Sequence, residues 1–168
     1  MRIKAAVRLI LPVSTMVLAM MATTTAAAKE RSDAGMTYDG AVSDALAITA
    51  HRPELNVVRV AGQSMLPYFG DDAVVVVKKI DAARLRVGMI AVYVNRFGEK
   101  VAHRIIAPVA GGWQVKGYNN AEADSTVVNA GNLLGIVYAT FNSSGRAPVA
   151  MAASNLPSIE TVYAAPAR

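Results

Sequence analysis

No cysteine occurs in the 168 residues. That excludes disulfides, zinc–thiolate sites and a cysteine nucleophile, and it is compatible with either an oxidising or a reducing compartment. Histidine is nearly as scarce, with His51 and His103 alone. Residues 1–28 contain no acid but carry Arg2, Lys4 and Arg8. Those three cations supply most of the net charge of +5, and what is left without them is too small for a nucleic-acid footprint. No internal repeat is present. What the chain has in quantity is apolar residues, 54% of the total, giving a mean hydropathy of +0.33. Much of that comes from the first 28 residues and from the many alanines.

Residues 1–28 read as an export segment. The positive start is followed by an apolar stretch from Leu9 to Met21, and Ala26-Ala27-Ala28 offers small residues before Lys29-Glu30-Arg31. This is the layout of a cleavable signal peptide with an Ala-x-Ala site. A retained membrane anchor is the rival, since Leu9 to Ala28 is long enough to span a bilayer. Both readings place the rest of the chain outside the cytoplasm, in the periplasm or at a membrane surface.

Residues 29–53 are expected to form a linker and one short helix. Tyr38, Val42, Ala45, Leu46 and Thr49 recur at helical spacing, which predicts about three turns from Asp39 to His51, with Asp39 as cap and Pro53 as stop. Residues 54–142 carry a β signal. Candidate strands run over Val57 to Ala61, Ala73 to Lys78, Met89 to Val94, Lys100 to Ala107, Trp113 to Lys116 and Leu133 to Phe141. Asn95-Arg96-Phe97-Gly98-Glu99 and Ala110-Gly111-Gly112 read as hairpin turns, so three of these strands form an antiparallel meander. The fold class expected is mainly β, a compact, coiled antiparallel sheet, with a leader helix and one short helix before the core. Residues 143–168, rich in Ala, Pro and Ser, read as a mostly disordered tail.

The most informative stretch is Ala61-Gly62-Gln63-Ser64-Met65-Leu66-Pro67. Gly62 lets the chain bend and Pro67 stiffens the far end of the turn, so Ser64 is presented on a rigid loop at a strand end. Downstream, alternation along the fourth strand puts Val101, His103 and Ile105 on one face. A serine hydroxyl is a poor nucleophile unless a base takes its proton, and the base benefits from a carboxylate that fixes its tautomer. A neutral, partly desolvated imidazole suits that task. Asp124, in the loop after the fifth strand, is a candidate for the carboxylate, with Asp71 and Glu122 in competition. His51 carries no chemistry at a helix end.

The ordered set Gly-x-Ser-Met-x-Pro, Gly-Asp, Gly-Met-Ile-Ala-Val-Tyr, Ala-His-Arg-Ile-Ile, Lys-Gly-x-Asn-Asn and Leu-Gly-Ile-Val resembles type I signal peptidases and the related LexA-type serine peptidases, over roughly Val57 to Val137. The resemblance implies Ser64 as nucleophile. It implies His103 as base, as in the endoplasmic-reticulum and sporulation-type subgroup, and Asp124 as third member. Lys78, Lys79, Lys100 and Lys116 do not match the lysine-base position of other members and are expected to be solvated. Two departures stand out. Tyr118 replaces an aspartate in the Gly-x-Asn-Asn box. Gly62 replaces a serine whose hydroxyl helps hold the oxyanion in the family, a loss of ~2.7–4 kcal/mol of barrier lowering. The oxyanion would then rest on main-chain N–H groups of Ser64 and Met65.

The expected function is a Ser-His-Asp endopeptidase that needs no cofactor or metal. Its partner would be a peptide or protein with small residues before the cut, paired as an extended strand to an open sheet edge near Ser64. Two readings stand beside it: an exported β module with Ser64 and His103 as relics, and a LexA-type self-cleaving protein.

Overall fold

The computed structural model describes residues 35–143 and 159–164. The leader expected over 1–28, the first part of the linker and most of the expected tail lie outside the described residues. Among the described residues no helix is long and apolar enough to cross a membrane.

The one helix described, α1, spans Tyr38–Thr49. Its cap is Thr37, whose Oγ1 accepts the Gly40 N–H at 3.1 Å, and not Asp39 as the sequence suggests. Thr37 is extended, as a residue outside the helix must be, and Asp39 falls in the first turn, where its charge favours the helix N-terminus. The helix ends at Thr49, two residues short of His51, which has a φ of 64°. Tyr38, Ala41, Val42 and Ala45 form its buried stripe.

Seven strands follow: β1 (Leu55–Gly62), β2 (Val74–Lys78), β3 (Ile90–Val94), β4 (Lys100–Val109), β5 (Gly112–Lys116), β6 (Leu133–Phe141) and β7 (Glu160–Ala164). They lie in the order β3-β6-β2-β1-β7-β4-β5, and β3 also pairs with β4, so the sheet closes into a barrel with β5 as an extension of β4. The mainly β fold read from the sequence is therefore the fold observed.

The continuous apolar run Val74–Val77 has a physical reason. Val75 and Val77 point into the barrel with Val58, Val60, Val92, Ala102 and Val162, whereas Val74 and Val76 lie beneath α1. A strand covered on both faces needs no polar alternation. A third cluster, Leu85, Ala91, Tyr93, Val101, Ile105, Val115 and Val128, fills the space under the β3–β4–β5 meander. The hairpin Asn95–Glu99 is held by Asn95 Oδ1, which accepts the N–H groups of Phe97 and Glu99 at 2.9 Å each.

One expectation is overturned. The stretch read as a disordered tail contains β7, which pairs parallel to β1 from Val58↔Glu160 to Gly62↔Ala164 and touches β4 at Val101↔Tyr163. Val162 and Ala164 are buried inside the barrel. Five residues in a low-complexity setting carry too short an alternation to be recognised, and their partner strand lies about a hundred positions earlier.

Candidate active site

β1 ends at Gly62, with a φ of 107°. The loop beyond it is pinned from several sides. The Gly62 N–H donates to Asp71 Oδ1 at 2.6 Å, the Asn119 N–H donates to the Ser64 carbonyl at 2.7 Å, and Asn119 Nδ2 donates to the Gln63 carbonyl at 3.3 Å. Met65 and Phe69 are fully buried and anchor the loop from below. Gly117 allows the Asn119 contact, because a Cβ there would come within 2.8 Å of the Ser64 carbonyl oxygen. The Gly117-Tyr118-Asn119-Asn120 box thus clamps the serine loop.

His103 lies in the middle of β4, opposite Ala91 of β3, on the face it shares with Val101 and Ile105, as alternation predicts. It is 1% exposed. Its Nε2 is 2.8 Å from Ser64 Oγ. On the far side of the ring, Nδ1 is 2.7 Å from Asp124 Oδ2. Asp124 reaches this point because its own N–H is fixed to the Val115 carbonyl of β5 at 2.9 Å. An ionised carboxylate only accepts hydrogen bonds, so Nδ1 carries the ring proton and Nε2 presents a lone pair to the serine hydroxyl. The three side chains form one continuous chain of hydrogen bonds across loop, strand and loop.

Tyr93 is the member that sequence reasoning missed. It is fully buried, its hydroxyl donates to Asp124 Oδ2, and it sits 3.4 Å from His103 Nδ1. Burial, the Asp124 charge and the hydrogen bond to it push the phenol far above its ordinary range, so it stays a neutral donor. The signal was available in the hairpin register. Tyr93 shares a β3 face with Ala91, the cross-strand neighbour of His103, and lies diagonally from the imidazole. Asp124 Oδ2 therefore accepts two hydrogen bonds, while its Oδ1 is buried with no partner among the described residues.

The competing groups lie elsewhere. Asp71 holds the Gly62 N–H, Glu122 is exposed, and His51 sits at the end of α1. Lys78 lies over the Tyr138 ring, Lys79 is exposed, Lys100 meets Glu160, and Lys116 Nζ donates to the Ala121 carbonyl at 2.6 Å. Tyr118, the departure within the box, accepts from Arg104 Nη1 at 3.1 Å and stacks beneath its guanidinium, 4.4 Å from the ring centre.

One expectation about the cleft needs correction. The edge of β1 beside Ser64 is not open, because β7 pairs along it. The Ser64 N–H, assigned to an oxyanion, donates to the Ala164 carbonyl at 3.1 Å. Met65, named with it, has a fully buried side chain, and its own carbonyl accepts from the N–H of Tyr68 at 3.0 Å. A cleft of about 400 Å³ remains, lined by Gly62, Gln63, Ser64, Asn119, Tyr163 and Ala164 among others. Among the described residues no group of three or more acidic or imidazole side chains is arranged to hold a metal ion. A scan against protein-family models, a search of curated proteins and a search of solved structures each find no match to this chain.

Proposed function

We propose that the protein is a serine endopeptidase that acts outside the cytoplasm on extended peptides, cutting after small residues. The observation that carries this reading is the unbroken relay from Ser64 Oγ through His103 to Asp124, at 2.8 Å and 2.7 Å. In the proposed reaction His103 Nε2 takes the hydroxyl proton as Ser64 Oγ attacks a peptide carbonyl. The imidazolium that forms is stabilised by Asp124, and it returns the proton to the leaving amine. Water then attacks the acyl–serine ester with His103 again as base. Tyr93 positions Asp124 and does not touch the reacting atoms. The resemblance to signal peptidases supports the preference for small residues, and Ala61 and Gly62 leave a shallow wall on the cleft.

The test is direct. A fluorophosphonate probe should label Ser64, and the protein should hydrolyse an alanine-rich peptide. Ser64→Ala and His103→Gln should lower that hydrolysis to the level of buffer alone. Hydrolysis that persists in Ser64→Ala, or absence of both labelling and cleavage in the unaltered protein, would overturn the proposal.

A further inference from the structure

Main-chain bonds tie the serine loop to the Gly117–Asn120 box and to β7, but its link to β4, the strand that carries the base, is sparse. Among the described hydrogen bonds, only the one between Ser64 Oγ and His103 Nε2 joins residues 63–69 to β4. That bond changes as the proton moves and Oγ turns to attack, so it is a poor keeper of the reacting distance. A second connection runs through side chains. Arg104 follows His103 on β4 and is fixed in the sheet between Ile90 of β3 and Lys116 of β5. Its Nη1 donates to the Tyr118 hydroxyl at 3.1 Å, and its guanidinium carbon lies 4.4 Å from the centre of that ring. No carboxylate pairs with Arg104 among the described residues, so the ring is its anchor. Tyr118 in turn meets Tyr68 of the serine loop, with ring centres 4.1 Å apart and planes at 42°. The Tyr68 N–H donates to the Met65 carbonyl at 3.0 Å, which passes the placement of the ring to the turn that starts at the nucleophile. Tyr68 is 52% exposed, so burial in the core does not by itself account for the stack.

We propose that Arg104 and Tyr118 are positioning residues for the hydrolysis: the Arg104–Tyr118–Tyr68 stack holds the nucleophile loop at reacting distance from the strand that carries His103. The proposal rests on the endopeptidase reading above and adds two residues to its machinery. Neither touches the reacting atoms. Tyr118 is central to the tie, because its neighbour Asn119 holds the Ser64 carbonyl through the main chain while its own ring holds Tyr68, so one box grips the loop at both ends. Tyr118 is also where the Gly-x-Asn-Asn box departs from the pattern it resembles, so the tie is a feature of this chain and not of the resemblance. Loosening it lets Ser64 Oγ drift from His103 Nε2 while the His103–Asp124 pair and the cleft walls stay in place. A misplacement of about 1 Å costs on the order of 100-fold in rate.

Steady-state kinetics on the alanine-rich peptide and the rate of fluorophosphonate labelling test this in Tyr118→Leu, Tyr118→Phe, Arg104→Gln and the Tyr118→Leu/Arg104→Gln double variant, each checked for folding by circular dichroism. Tyr118→Leu should lower kcat by roughly 30- to 100-fold, with KM within about threefold and labelling slowed in parallel. Tyr118→Phe keeps the ring and should recover most of that loss. The double variant should be no slower than Tyr118→Leu alone, since both changes break one stack. The midpoint of the pH–rate profile should stay where it is in the unaltered protein, because the base and its carboxylate are untouched. A stack that serves only the fold would lower the thermal midpoint and leave kcat of the folded protein intact; a folded Tyr118→Leu with kcat within about threefold overturns the proposal and leaves the endopeptidase reading standing. A loss confined to KM makes the stack a substrate contact and likewise overturns it. If Tyr118→Leu does not fold, Arg104→Gln carries the same kcat-against-KM comparison, and kcat within about threefold there overturns the proposal. An unaltered protein that is neither labelled nor active on the peptide overturns the endopeptidase reading, and the positioning role with it.

Discussion

The Asp124→Asn substitution separates the roles assigned to the relay most sharply. Asp124 Oδ2 accepts from both His103 Nδ1 and the Tyr93 hydroxyl, while Oδ1 is buried without a partner among the described residues. An amide has two ways to occupy this site. With its nitrogen at the Oδ2 position it donates to Nδ1, which moves the ring proton to Nε2 and leaves no lone pair for Ser64. With its oxygen there, the NH2 group enters the Oδ1 position, buried and without an acceptor, a penalty of about 1–3 kcal/mol. Either orientation also removes the charge that stabilises the imidazolium. The expected loss in kcat/KM is about 10⁴-fold, equivalent to roughly 5.4 kcal/mol of barrier. Steady-state hydrolysis of the alanine-rich peptide measures it, and fluorophosphonate labelling should slow in parallel. A folded Asp124→Asn protein within tenfold of the unaltered activity would refute the tautomer argument and the assignment of Asp124.

Tyr93→Phe should weaken hydrolysis less than Asp124→Asn does, and it should change how stability depends on pH. The phenol is raised in the folded state above its ordinary value of 10.0, so the stability it contributes is present below about pH 10 and is lost as pH rises beyond it. Urea unfolding midpoints should therefore fall above pH 10 in the unaltered protein, with a limiting slope of about 1.4 kcal/mol per pH unit from this group, and fall less steeply in Tyr93→Phe. Equal slopes in the two proteins would count against the shift. Gly62→Ala places a methyl against the Ala164 carbonyl at a positive φ. It should cost at least about 1–2 kcal/mol, read as a lower thermal midpoint, together with faster exchange of the Ser64 amide hydrogen. Phe69→Ala opens a cavity beneath the serine loop and should cost about 3–5 kcal/mol by chemical denaturation. Thr37→Ala removes the α1 cap at a cost of about 1 kcal/mol, with the barrel strands keeping their amide protection.

Legibility in the sequence depended on which signals are local. The strands of the β3–β4–β5 meander are joined by glycine-bearing turns, so the run of alternating residues and the turn chemistry agree, and the face of His103 could be read directly. The Ser64 loop was legible because Gly62 and Pro67 punctuate it. Asp124 was one of three open carboxylates on the sequence alone, because the Asp124 N–H contact to Val115 that places it is a main-chain bond with no side-chain signature. Tyr93 was missed because a tyrosine in an apolar strand reads as core, which it also is. The strand Glu160–Ala164 was missed because parallel pairing to a distant partner leaves no turn to mark it. With it went the covered edge of β1, so the cleft was expected in a more open form than it has.

The insertion of β7 between β1 and β4 sets a timetable for the molecule. Strand β1 can zip to β2 as soon as both exist, because they are near neighbours along the chain. The gap between β1 and β4, however, can be filled only by a stretch about a hundred positions downstream of β1. A chain emerging from its N-terminus therefore holds an unsealed barrel, with Val58 and Val60 lacking their cover, until residues 160–164 are available. Long-range closure of this kind is slow compared with hairpin formation. It also means that the alcohol, the imidazole and the carboxylate can be brought together by earlier strands before the segment that covers the β1 edge beside them arrives.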